Sequence, residues 1–157
     1  MKTEFTWQYE HTWRVFERLV RGFDPEAWLH TGRGAIIPAR LSLHILQAAR
    51  YYMQAPTPVF FASGKAFDGD WATVEEADLP SQDDVLACIE ELKAKCTQWL
   101  AEMDFEGENS AFEWAGRTKL GVVLFLLRHN LFHIGELSSL LNESRNGDVE
   151  DHYVKAL

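Results

Sequence analysis

Residues Leu120–Asn142 read LGVVLFLLRHNLFHIGELSSLLN, the longest run in the chain compatible with one helix. Its start is almost wholly apolar, and it carries His129 and His133 four positions apart, with Glu136 a further turn on. Four residues advance a helix by ~6 Å and return to nearly the same face, so the two imidazoles project together and can grip one metal ion. Val122 and Leu126 precede them on that face and Leu140 follows. Solvated histidines are not usually framed by an apolar stripe. The run therefore predicts a core helix of a bundle that also carries half of a ligand set.

Three further stretches repeat at helical spacing. Ser81–Met103 places Val85, Ile89, Leu92, Cys96, Trp99 and Met103 at alternating steps of four and three, a bundle seam. Ser81 followed by Asp84 resembles a capping box at its start. Pro38–Gln54 opens with a proline where a missing N–H costs nothing, and sets Leu41, Ile45, Ala48 and Tyr52 on one stripe with His44 beside it. Thr3–Val20 carries Tyr9, Trp13, Phe16 and Val20, with Thr3 as a candidate cap and Gly22, Asp24 and Pro25 as its end. The last helix begins near Arg117, with Thr118 as a candidate cap. No stretch alternates apolar and polar residues long enough for a strand. Four amphipathic helices imply an all-α four-helix bundle.

The connections differ in character. Phe23–Ala39 is punctuated by Pro25, Gly32, Gly34 and Pro38, with a short turn expected at Glu26–His30. Gly32-Arg33-Gly34 lacks the strand-then-helix setting of a phosphate loop, so no nucleotide site is read there. Ala55–Pro80 is long for a compact domain and holds Phe60, Phe61, Phe67 and Trp71, with a short helix expected around Val74–Ala77. It is either a pocket wall or a crossover strap between helices two and three. Asp104–Gly116 is acidic and holds Phe112 and Trp114, and His152–Leu157 is a short tail.

Composition narrows the functional classes. A chain of 157 residues fits one domain with a proper core. The net charge of −9, without a lysine or arginine cluster, argues against nucleic-acid binding. Arg128–His129–Asn130 interrupt the apolar block short of the ~20 residues that span a bilayer. Glu4, Glu10 and Arg14 spoil any signal peptide, so the expected compartment is the cytoplasm, with no membrane partner. Cys88 and Cys96 lie ~12 Å apart along one helix, too far for a disulfide, and read as small apolar fillers.

His11 is expected to be partly exposed, His30 solvated and His152 a tail residue. His44 remains as a partner for His129 and His133, because bundle cores build metal sites from facing helices. A zinc-protease motif needs glutamate directly after the first histidine, and Asn130 stands there instead. Three histidines would leave coordination positions open, as in catalytic zinc sites. Three unrelated histidines are the competing reading.

The segment RHNLFHIGEL, residues 128–137, resembles the last-helix signature of the DinB/YfiT-like family. ARLSLHILQAARYY, residues 39–52, resembles that family's other histidine region. The likeness extends over nearly the whole chain in helix order and length, with these two segments its specific part. It implies one DinB-like four-helix-bundle domain over residues 1–157, with a long crossover connection and often a dimer. It implies a divalent metal on His44, His129 and His133, with zinc or nickel expected first and iron or copper as alternatives. Many members carry Gln where this chain has Glu136, which could orient a ligand, accept a proton or join the coordination sphere. The implied activity is that of a metalloenzyme acting on a small molecule: a thiol-dependent transferase or isomerase using mycothiol, bacillithiol or glutathione, or a hydrolase. A stress-related protein that binds metal or ligand without catalysis is the alternative, and a purely structural bundle is the third reading. Six tryptophans exceed what one small core readily holds, a further reason to expect a homodimer.

Overall fold

The computed structural model describes residues 1–54 and 69–157, together with the backbone of 59–60 and 66–67. The expectations for Phe60, Phe61 and Phe67 as wall-forming side chains lie outside the described residues. Among the described residues the architecture is helical: α1 (Lys2–Gly22), α2 (Pro25–His30), α3 (Pro38–Tyr52), α4 (Gln82–Glu102) and α5 (Lys119–Ser144). A two-residue antiparallel ladder pairs β1 (Val59–Phe60) with β2 (Ala66–Phe67). A ladder that short carries no alternation, which is why the sequence pattern does not reveal it.

The long helices form where the periodicity places them. Tyr9, Trp13, Phe16 and Val20 of α1 are all buried, as are Leu41, Ile45 and Ala48 of α3 and Val85, Ile89, Leu92 and Cys96 of α4. Each such stripe removes one helix face from water, at about 1.5–3 kcal/mol for each large side chain fully buried. α1 packs on α4 and α5, and α3 packs on the same two helices. The four therefore close a ring around one apolar cluster. α1 and α3, consecutive among the long helices, share both neighbours and face each other across the ring, whereas the consecutive α3 and α4 are neighbours.

The ends follow local chemistry. Ser81 caps α4 by accepting the Asp84 N–H at 3.1 Å, while Asp84 Oδ2 accepts the Ser81 N–H at 3.1 Å, the reciprocal box expected. Asp24 caps α2 through the Ala27 N–H at 2.8 Å, with Pro25 in the first turn. Thr3 and Thr118 do not cap as expected. α1 already starts at Lys2, and Thr118 sits at the α5 N-cap without a side-chain hydrogen bond. The turn expected at Val74–Ala77 is a 3-10 turn at Glu76–Asp78.

One histidine reading is corrected, and the expected tail is found folded back. His11 is buried, not partly exposed, because the C-terminal tail folds over it; its Nε2–H donates to the Tyr153 carbonyl at 2.9 Å. His152 is likewise buried, with Nε2 3.2 Å from Asn142 Oδ1. Glu150 anchors this tail through Arg18 at 3.0 Å, Arg145 at 3.2 Å and Lys155 at 2.7 Å. Both contacts join positions more than a hundred residues apart or cross a turn, beyond what helical spacing reports.

α5 is apolar enough by length and composition to cross a membrane, with a mean hydropathy of 1.3 over its most apolar window, of which 33% is buried. The apolar character thus persists beyond Arg128–Asn130, through Leu131, Phe132 and Ile134. Its inner face, including Val123, Leu126, Ile134 and Leu137, belongs to the bundle core.

Candidate metal centre

α3 and α5 pack side by side, and that contact carries His44 to His129 and His133. His44 lies at the edge of the α3 stripe, one turn from buried Leu41 and Ala48. His129 and His133 follow Leu126 along the matching edge of α5. Each imidazole is therefore rooted in a packed helix and only partly open to solvent. The Nε2 atom of His44 lies 3.2 Å from that of His133 and 3.1 Å from that of His129. One ligating atom from each of the three falls within 4.8 Å of the others. The ring centroids are 4.5–4.9 Å apart.

This spacing fits a small divalent cation. Imidazole nitrogens at ~2.05 Å around a tetrahedral ion stand roughly 3.3 Å from each other. The observed pairs are within a few tenths of an ångström of that value. Positive charges on neighbouring imidazoles would repel each other, and the pKa directions of His44 and His129 agree. Burial, reinforced by the neighbouring His133 and His129, pushes His44 down to about 4, with Asp70 opposing. Burial, then His133, also lowers His129. His44 and His129 are thus held in the neutral form that ligates metals.

Glu136 resolves into a definite contact. Its Oε2 accepts the His133 Nδ1–H at 2.7 Å. With Nδ1 protonated, the Nε2 lone pair of His133 points into the cluster, the carboxylate–histidine pairing that fixes the tautomer at metal sites. Glu136 thus sits behind His133, outside the three-nitrogen set. Nδ1 of His129 is buried and has no partner among the described residues.

The histidines set aside on sequence stay apart from the cluster. His30 is exposed, 3.8 Å from Glu26, while His11 and His152 serve the tail. Cys88 and Cys96 are buried free thiols, and burial pushes Cys96 up to about 12, so neither offers a thiolate. The pocket-wall reading of the long connection gains support from one ring, while the rings beside His129 were not foreseen. Trp71, one of the aromatics of the long connection, packs on His44 with centroids 4.4 Å apart. Phe125 and Tyr52 each lie 6.4 Å from His129. Phe125 stands one turn before His129, and that spacing is the one available signal. Tyr52 reads as a core residue of its stripe. Comparison with protein-family models, curated proteins and solved structures finds no match to this chain. The functional reading therefore rests on the geometry of the cluster.

Proposed function

We propose that this chain is a divalent-metal-dependent enzyme of the DinB-like kind, a thiol-dependent transferase or isomerase acting on a small molecule. The observation that carries the metal half of this reading is the convergence of three Nε2 atoms from His44, His129 and His133. Glu136, by orienting His133, and burial, by keeping His44 neutral, prepare the site before any ion arrives. An all-imidazole set accepts zinc, nickel, iron or copper; zinc or nickel is proposed first. A divalent ion held there would lower the pKa of a water or thiol and supply a nucleophile at neutral pH. Three protein ligands leave room for such a group. The reading includes a homodimer acting in the cytoplasm, with no nucleic-acid or membrane partner.

The test has two stages. Protein purified without a histidine tag should carry close to one divalent ion per chain, and His129→Ala should lose it. Unchanged stoichiometry in that variant would remove the site assignment. The loaded protein should then turn over electrophiles with bacillithiol, mycothiol or glutathione. Bound metal without turnover would instead support a non-catalytic metal- or ligand-binding protein.

A further inference from the structure

The imidazoles of the cluster are not oriented by the same means. Glu136 fixes His133 by accepting its Nδ1–H at 2.7 Å. His44 has no such bond: among the described residues its hydrogen-bond contacts are the Nε2 atoms of His133 and His129. The torsion that turns an imidazole about its Cβ–Cγ bond is broad, so a ring held at neither edge swings its donor nitrogen off a fixed point. His44 needs a contact on its face instead.

Trp71 supplies that contact. Its indole lies over the His44 ring at 31° with centroids 4.4 Å apart, closer to face-on than the two histidine neighbours at 63° and 85°. The indole is partly buried and packs against the bundle core. Its backbone is tied to α3 on both sides of His44. Arg40 Nη1–H donates to the Trp71 carbonyl at 3.1 Å, and Gln47 Nε2–H donates to the Gly69 carbonyl at 3.0 Å. Arg40, His44 and Gln47 follow each other at steps of four and three, which puts them on one helix face. Asp70 closes the turn: its Oδ1 accepts the Ala72 N–H at 2.9 Å and its carbonyl the Thr73 N–H at 3.1 Å. The indole is thus in place before any ion binds, which lowers the ordering cost of binding.

We propose that Trp71 is a positioning residue of the metal centre: its indole face holds His44 with Nε2 turned toward His129 and His133 and favours the ligated imidazole over the free one. Once His44 gives its lone pair to a divalent ion, its ring is electron-poor and partly cationic. An aromatic face attracts a cation, and indole does so most strongly. An aliphatic side chain would occupy the space without that attraction. This inference rests on the metal reading above.

The test measures zinc affinity of tag-free protein at neutral pH by competition with a chromophoric chelator. It compares wild type with Trp71→Phe, Trp71→Leu and Gln47→Ala. Trp71→Leu, which removes the π face, should bind zinc about tenfold more weakly. Trp71→Phe, which restores a ring, should stay within about threefold of wild type. Gln47→Ala keeps the indole, changes no charge and loosens one tether, for a loss of about threefold. One zinc per chain should persist in all three. Wild-type affinity in Trp71→Leu, or equal losses in Trp71→Phe and Trp71→Leu, would overturn the role of the indole face and leave the metal site standing. Wild-type protein that binds no zinc would overturn both.

Discussion

Replacing Glu136 with alanine removes the acceptor that holds His133 in its ligating tautomer, and is expected to weaken metal binding by about 5- to 30-fold. The magnitude follows from the contact. A hydrogen bond to a charged partner is worth ~1.5–3 kcal/mol when shielded. The Oε2 contact is short, at 2.7 Å, but the Glu136 side chain is 33% exposed. Solvent screening reduces the contribution to ~1–2 kcal/mol. That range converts to roughly 5- to 30-fold in Kd, overlapping the usual loss when a histidine ligand's outer partner is removed. Glu136→Gln separates geometry from charge, because its amide oxygen still accepts the Nδ1–H; its loss should be about threefold. Competition with a chromophoric zinc chelator at neutral pH measures both. Wild-type affinity in Glu136→Ala would refute the positioning role. A glutamine variant as weak as the alanine one would show that charge, not tautomer control, is the operative term.

Three other outcomes are expected. His44, lowered to about 4, protonates later in the folded chain than in the unfolded one, whose imidazole titrates near ~6.5. The unfolded state therefore binds more protons between those values, and metal-free protein should lose stability as pH falls from ~6.5 toward about 4, then level off; urea midpoints across that window, with a ring-proton titration of His44, check the sign. Leu92→Ala, at a fully buried α4 position, should cost about 2–5 kcal/mol in urea unfolding without changing metal stoichiometry. Glu150→Gln should release the tail, because the carboxylate, held near 2 first by its hydrogen bond to Lys155 and also by His152 and Arg18, loses its charge; hydrogen exchange over residues 149–157 should accelerate while metal binding stays intact.

Much of this architecture is legible in the sequence because burial leaves a periodic trace. The stripes of Tyr9–Val20, Leu41–Ala48 and Val85–Cys96 each name a buried face, and the elements form around them. His44 was legible as a candidate ligand through its place beside one such stripe and through the resemblance of residues 39–52 to a family's histidine region. Periodicity shows that a face is buried, not what covers it. For that reason His11 was misread: the tail that buries it returns across the whole chain. The rings beside His129 escaped for the same reason, since Tyr52 at a helix end and Phe125 on α5 meet only in three dimensions. Glu136 shows the opposite case, where a separation of three on one helix already contained the contact.

The most direct measurement is an anomalous difference map from crystals of tag-free protein, with data on both sides of the zinc and nickel edges. The expected result is one peak per chain within bonding distance of Nε2 of His44, His129 and His133, absent in His44→Ala. No peak at the three nitrogens, in crystals grown with either ion present, would contradict the metal centre.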